Sequence, residues 1–143
     1  MIQLIVGNKG KGKTKQLLDK VNAEVLTANG NIVYLDKSTK HMFELNNKVR
    51  LIDVSEFPID NYDQFIGFIL GIASQDHDLE QVYFDGFLEL AKVSENEVEK
   101  VLSKFENIAK KYNINLIMSI SMDEKDIPEW VKSAVIVSLS FDG

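Results

Sequence analysis

Short apolar runs alternate with amphipathic segments along this chain, and that alternation constrains the fold more than any other feature. The runs are MIQLIV, NIVYLD, VRLIDV, QVYFDGF, NINLIMSIS and AVIVSL. Most of them are separated by segments in which apolar residues recur at helical spacing. Strands that alternate with helices favour a parallel sheet covered by helices on both faces. We therefore predict an α/β fold, a three-layer sandwich with a mostly parallel central sheet, in a single domain spanning residues 1–143.

The spacing of apolar residues and the cap signals predict three main helices, at about residues 13–25, 61–74 and 94–112. Ser94 and Glu97 have the spacing of a capping box, and Pro128 suits the first turn of a short helix. The polar segment 37–48 is predicted to be a loop or a frayed helix. In a parallel sheet of this kind the carboxyl ends of the strands lie along one edge, which is where ligands bind.

The first predicted strand runs into a glycine-rich segment, Gly7–Thr14, that fits the pattern G-x-x-x-x-G-K-[ST] without a mismatch. Glycines let the backbone curl so that successive N–H groups face an anion, and the following helix adds the positive end of its dipole. In this pattern the lysine reaches the β- and γ-phosphates and the hydroxyl joins the Mg²⁺ shell. The predicted nucleotide-binding residues are Gly7, Asn8, Lys9, Gly10, Lys11, Gly12, Lys13, Thr14 and Lys15.

Three of these lysines are not required by the pattern. Lys9 and Lys11 lie inside the loop, and Lys15 lies in the first turn of the predicted helix. Lys9 and Lys11 either contact a phosphate or a partner, or stay solvated and raise the local positive potential, whereas Lys15 is predicted to be exposed.

With this loop the chain resembles the P-loop NTPases, in which the loop is the Walker A motif. VYFD, which ends at Asp85, resembles the Walker B motif. The match implies that Thr14 and Asp85 hold Mg²⁺, with Asp85 acting through a water. At least one predicted strand separates the two motifs, an order typical of the branch of the family with a strand inserted between the motif strands. DGFLEL is similar to the RecA-like subgroup, in which a small residue, here Gly86, follows the acid.

The RecA-like resemblance also implies the residues that act on the phosphate. In that subgroup the catalytic carboxylate lies at or just beyond the end of the second strand, which makes Asp36 the residue that orients the attacking water, beside the catalytic Lys13. The alternative for Asp36 is a strand-terminal turn residue. NINLIMSIS resembles the sensor strand of the family, and Ser119 and Ser121 share a face of it by the two-residue period. Either serine is a sensor candidate.

Charge and composition narrow the classes of partner. The net charge is −6, with 22 acidic against 16 basic residues, which counts against nucleic acid as the main partner. The chain has no cysteine, so disulfides and thiolate zinc sites are excluded. His41 and His77 have no metal-binding spacing and are predicted to be surface or loop residues. No apolar run reaches the roughly 18 residues of a membrane span, so we predict a cytoplasmic protein without a membrane partner.

Together these features predict an ATP-binding protein that hydrolyses ATP slowly with Mg²⁺, alone or in a homo-oligomer or with a protein partner. ATP follows from the resemblance, since no base-reading motif is present. One alternative is a nucleotide-dependent binding or regulatory module without useful turnover, which Gly86 favours. The other is a small-molecule or nucleoside kinase, in which segment 37–48 would supply a basic lid.

Overall fold

The computed structural model describes residues 1–10 and 12–139, and the strands of this part of the chain form one six-stranded sheet. Every neighbouring pair is parallel, and the order across the sheet is β3-β2-β4-β5-β1-β6. The predicted α/β class is confirmed, and the sheet is entirely parallel. The strands are β1 (Ile2–Val6), β2 (Asn31–Asp36), β3 (Arg50–Asp53), β4 (Leu79–Phe84), β5 (Asn115–Ile120) and β6 (Val135–Ser138).

The three predicted main helices are present, together with a short helix that the sequence did not indicate. The helices are α1 (Lys13–Glu24), α2 (Tyr62–Gln75), α3 (Phe87–Ala91) and α4 (Val98–Tyr112). The unpredicted one is α3, which at five residues is too short to show helical periodicity. None of the helices in the described residues combines the length and the apolar character that crossing a membrane requires.

Turns of 3₁₀ helix punctuate the loops and begin one of the predicted helices. The capping box of Ser94 and Glu97 is formed, since the Ser94 N–H donates to Glu97 Oε1 at 3.1 Å. The chain after Ser94 first makes a 3₁₀ turn and becomes α-helical only from Val98. The 3₁₀ turns are Met42–Glu44, Val54–Glu56, Glu95–Glu97, Glu124–Asp126 and Glu129–Ala134.

Successive side chains of the strands point to opposite faces of the sheet and build two separate cores. On one face Phe84 of β4 contacts Phe65 of α2 and Phe105 of α4, with ring centroids 6.0 and 5.7 Å apart. On the other face Tyr83 belongs to the core that includes Leu17 of α1. With α1 on one side and α2, α3 and α4 on the other, the arrangement is compatible with a three-layer sandwich.

The parallel register brings the ends of separate strands to one edge of the sheet. Asp85 continues the line of β4 and donates its N–H to the carbonyl of Leu35 in β2 at 2.9 Å. Val6 at the end of β1 pairs with Ile120 at the end of β5. The segments that follow the four central strands therefore start side by side. They are Gly7–Thr14 after β1, the loop that follows Asp36 at the end of β2, the segment after β4 that begins with Asp85, and the segment after β5 that begins with Ser121.

Candidate functional site

The glycine-rich segment Gly7–Thr14 joins β1 to α1 and turns at two glycines. Gly10 has a φ of 80° and Gly12 a φ of 85°, a left-handed region in which residues with a side chain are strained. Gly12 directly precedes α1, and the first turn of this helix contains no acidic residue. Because the first N–H groups of a helix lack intrahelical partners, the start of α1 is suited to bind an anion. Lys11 lies outside the described residues.

Lys13 is held within the loop by a backbone contact. Its side chain is buried, and its Nζ donates to the carbonyl oxygen of Asn8 at 2.9 Å. Burial lowers the pKa of Lys13, and the charge of Asp85 opposes that change. The ammonium therefore lies in a partly desolvated position from which an anion at the start of α1 is within reach.

Two hydroxyl groups hold the carboxylate of Asp85. Thr14 Oγ1 donates to Asp85 Oδ1 at 3.0 Å, and the Tyr34 hydroxyl donates to Asp85 Oδ2 at 2.9 Å. Tyr34 is fully buried in β2, and its pKa is raised far above the ordinary value by burial and then by the Asp85 carboxylate. The tyrosine therefore stays protonated and remains a donor. Sequence reasoning missed Tyr34, although the two-residue period places it on the same face as Asp36.

Replacing Tyr34 with phenylalanine is expected to lower the free energy of unfolding by about 1–3 kcal/mol, because a buried carboxylate oxygen of Asp85 loses its donor. Urea unfolding measures this change. Tyr83→Phe is the matched control, since that hydroxyl is also buried but donates to Gln81 Oε1 at 2.7 Å. Only Tyr34→Phe should also weaken the binding of Mg²⁺ with nucleotide. Equal nucleotide affinities in the two variants would contradict the assigned role of Tyr34.

Asp36 is a buried carboxyl group in which only one of the two oxygens has a hydrogen-bond partner among the described residues. It is 3% exposed, and its Oδ1 accepts the backbone N–H of Lys37 at 2.7 Å. Its Oδ2 is also buried and has no hydrogen-bond partner among the described residues. Burial raises the pKa of Asp36, the charge of Asp85 raises it further, and the Lys37 N–H opposes both.

The remaining predicted residues have different surroundings. Ser119 is buried, accepts the Gly86 N–H at 2.7 Å and donates to the Phe84 carbonyl, so its hydroxyl also shapes the backbone after β4. Ser121 follows β5 directly and lies on the wall of a cavity at the carboxyl edge of the sheet. Lys15 is exposed and forms an ion pair with Asp19 at 2.9 Å on the surface of α1.

These elements surround one cavity of ≈ 400 Å³ at the carboxyl edge of the sheet. It brings together residues from the glycine-rich segment and from the ends of β2, β4 and β5. All of the predicted catalytic, metal and sensor residues lie on its wall, and Asn8 of the predicted nucleotide-binding segment contacts Lys13. Its lining is Lys9, Gly10, Gly12, Lys13, Thr14, Asp36, Lys37, Lys40, His41, Asp85, Gly86, Glu89, Ser119 and Ser121.

Five lining residues were not among the predicted site residues: Lys37, Lys40, His41, Gly86 and Glu89. His41 lies in the loop after β2, as predicted, but it also lies beside Asp36 and Asp85. The sequence signal was its position five residues beyond Asp36, in a loop that leaves the ligand-binding edge. Lys37 and Glu89 form an ion pair at 2.7 Å that links this loop to α3. Their hydrogen bond raises the pKa of Lys37 and lowers the pKa of Glu89.

No protein-family model matches the chain, and a comparison with curated proteins finds no match. The functional inference therefore depends on the cavity itself. It combines a helix N-terminus, a buried lysine, a hydroxyl–carboxylate pair and an incompletely satisfied carboxyl group. This set of groups suits a polyphosphate together with a divalent cation.

Proposed function

We propose that this protein is a RecA-like P-loop nucleotide-binding protein that binds ATP with Mg²⁺ and hydrolyses it slowly. One observation carries the proposal, the 3.0 Å hydrogen bond from Thr14 Oγ1 to Asp85 Oδ1. It joins the segment that resembles Walker A to the one that resembles Walker B, although these residues are 71 positions apart. A glycine-rich turn that resembled Walker A only by chance would not be expected to contact that carboxylate.

The order of the strands supports the RecA-like assignment. β1, which leads into the glycine-rich segment, and β4, which leads to Asp85, are not neighbours, since β5 lies between them. β2 lies on the far side of β4, so the end of β2 adjoins Asp85. This arrangement places Asp36 and Ser119 on either side of Asp85, as the resemblance implies for a catalytic carboxylate and a sensor.

Thr14 and Asp85 are the residues that would hold Mg²⁺. A hydroxyl oxygen and a carboxylate oxygen are ligands that a hard cation prefers, and the contact between them shows that both reach the same point. Mg²⁺ bound there would neutralise charge on the phosphates. Tyr34 fixes the second oxygen of Asp85 and so sets the orientation of the carboxylate.

Lys13 would bind the phosphates by exchanging one acceptor for another. Its Nζ donates to a neutral carbonyl oxygen of Asn8, and a phosphate oxygen would be a stronger, charged acceptor. The partial burial of the ammonium strengthens this interaction because less water screens it. The N–H groups at the start of α1 would complete the anion site.

Asp36 would orient the attacking water. Its Oδ2 has no partner among the described residues, which leaves it available to accept a hydrogen bond from a water in the cavity. A carboxylate with a raised pKa is also a stronger base than an ordinary one, which suits this task. Hydrolysis by positioning and charge neutralisation alone is slow unless a further cation stabilises the transition state.

Phosphate release from ATP, measured with and without Mg²⁺, tests the proposal. We expect Mg²⁺-dependent turnover slower than about 1 s⁻¹, the lower end of ordinary enzyme rates. Binding without turnover would favour the regulatory module. A failure of ATP, GTP, CTP and UTP to bind at millimolar concentration would overturn the proposal.

A second cavity favours phosphoryl transfer to a small acceptor as the second candidate function. It also measures ≈ 400 Å³, and it shares Lys37 and Glu89 with the first cavity. Phe57, Pro58 and Ile59 give it an apolar wall, which could receive a nucleoside or a similar ring. Mass spectrometry of mixtures of ATP with nucleosides would reveal a phosphorylated product if this function is correct. Release of inorganic phosphate alone would exclude it for the acceptors offered.

A further inference from the structure

Two carboxylates and an imidazole meet at the wall of the first cavity. Asp36 ends β2, Asp85 follows β4, and His41 lies in the loop after β2. One ligand atom of each of these residues lies within 4.8 Å of the others. Three ligand atoms that share one divalent metal with bonds of about 2.1 Å lie roughly 3.0–3.6 Å from one another. Side-chain movements of up to about 0.7 Å per residue would therefore bring all three to one cation.

The unpartnered oxygen of Asp36 is independent evidence for a cation at this point. Asp36 is 3% exposed, and its Oδ2 has no hydrogen-bond partner among the described residues. One carboxylate oxygen of Asp85 lies within 4.8 Å of a carboxylate oxygen of Asp36. A buried oxygen without a partner, beside a like charge, is unfavourable in the folded state. A divalent cation would satisfy this oxygen and neutralise both carboxylates.

The surroundings of the other two residues match those of metal ligands. The Nδ1 atom of His41 contacts the carboxylate of Glu44, which leaves Nε2 as the ring nitrogen for a metal. Metal-binding histidines commonly donate their other N–H to a carboxylate in this way. Asp85 accepts hydrogen bonds from Thr14 and Tyr34, and each of its oxygens has a second lone pair available.

The type of donor decides which cation fits. Imidazole nitrogen suits later first-row metals such as Co²⁺, Ni²⁺ and Zn²⁺, whereas Mg²⁺ and Ca²⁺ prefer oxygen ligands throughout. Three protein ligands also leave positions open for water or another oxygen donor. The expected order of affinity follows the general series, with Mn²⁺ weaker than Co²⁺ and Zn²⁺.

We infer that Asp36, His41 and Asp85 form a binding site for a transition-metal divalent cation, which binds without nucleotide. This site differs from the Thr14–Asp85 position proposed for Mg²⁺ in using an imidazole and a second carboxylate. The inference goes beyond the proposed function, because metal alone is sufficient to occupy the site.

Titration of the nucleotide-free full-length chain with Co²⁺, followed by visible absorption and by calorimetry, tests the inference. We expect one Co²⁺ per chain and an absorption band that depends on imidazole ligation. His41→Ala should weaken Co²⁺ binding at least tenfold, and this variant should fold because His41 is only partly buried and lies in a loop. Asp36→Asn should weaken it by a similar factor. His77→Ala is the matched control, because His77 is the second histidine of the chain and is exposed.

The possible outcomes separate the two proposals. Co²⁺ binding that requires His41 and Asp36 but not His77, and that a tenfold excess of Mg²⁺ does not displace, supports the inference. Co²⁺ binding that is unchanged in His41→Ala overturns it, as does no binding at millimolar Co²⁺. Because the titration contains no nucleotide, its failure leaves the nucleotide proposal standing, and a failure of ATP to bind leaves the metal site standing.

Discussion

Lys13→Ala is expected to weaken the binding of ATP with Mg²⁺ by about 100-fold or more. Hydrogen bonds to charged groups contribute about 1.5–3 kcal/mol each, and 1.4 kcal/mol corresponds to a tenfold change in affinity. Two such bonds from the ammonium to the phosphates account for the expected loss. Equilibrium titration with a fluorescent ATP analogue measures it.

The fold should survive this substitution. Burial lowers the pKa of Lys13, which means that the folded protein does not favour the ammonium at this position. The hydrogen bond to Asn8 is replaceable by water, since Asn8 is exposed. We therefore expect a change in the free energy of unfolding of no more than about 1 kcal/mol.

Lys20→Ala is the matched control for charge and helix position. Lys20 also belongs to α1, and it pairs with Glu24 at 3.6 Å on the surface of the helix. Its removal should leave the nucleotide affinity within about twofold of the wild-type value. A surface ion pair of this kind contributes at most about 1 kcal/mol, and it contributes to the stability of the fold and not to nucleotide binding. If Lys13→Ala and Lys20→Ala bind ATP equally well, the anion site is not where we place it.

Asp36→Asn is expected to slow ATP hydrolysis by about 100-fold while making the protein more stable. Positioned acid–base groups contribute roughly 10²- to 10⁴-fold to a rate, so loss of the carboxylate should appear in the turnover number. Nucleotide affinity should change little, because Lys13 and Thr14 are intact. Stability should increase by about 0.5–2 kcal/mol, because a neutral amide removes a buried charge that lies near the carboxylate of Asp85.

The gain in stability should depend on pH. Burial raises the pKa of Asp36, so the folded state disfavours its ionised form. That unfavourable contribution is complete above the raised pKa and is lost as the pH falls below the ordinary value of 3.8, because the carboxyl group is then protonated in both states. The advantage of Asp36→Asn is therefore expected at neutral pH and absent in acid. Urea unfolding at several pH values, with EDTA present to remove metals, measures this dependence.

Asp53→Asn is the matched control for the Asp36 variant. Asp53 ends β3 and pairs in register with Asp36, so both acids lie at the same edge of the sheet. The Asp53 carboxylate accepts from the N–H and hydroxyl of Ser55 and caps the turn that follows. Its substitution should not slow hydrolysis. Equal turnover in wild type and Asp36→Asn would remove Asp36 from the mechanism.

Local sequence patterns were sufficient to predict the strands and most of the helices. The segment Gly7–Thr14 and the helix after it are contiguous, so spacing and glycine content were sufficient to predict a turn followed by a helix. The strands also appear as short apolar runs, at the edges of the sheet as well as in its buried centre, which is why all six were predicted. The helix α3 was missed because its five residues are too few for a helical repeat of apolar residues to be recognised.

Contacts between distant segments could not be predicted in the same way. Tyr34 meets Asp85 across 51 positions, and Lys37 meets Glu89 across 52. Both contacts depend on β2 lying next to β4, and the pattern of apolar residues does not specify the order of strands. His41 joined the site for the same reason, since its loop leaves the end of β2 close to Asp85.

A crystal structure with Mg²⁺ and a non-hydrolysable ATP analogue tests the central claim most directly. We expect the β- and γ-phosphates at the start of α1, with Lys13 Nζ moved from the Asn8 carbonyl to a phosphate oxygen. The Mg²⁺ ion should lie against the Thr14 hydroxyl on the side of Asp85. An ordered nucleotide bound elsewhere, or a glycine-rich segment without phosphate at saturating analogue, would contradict the claim.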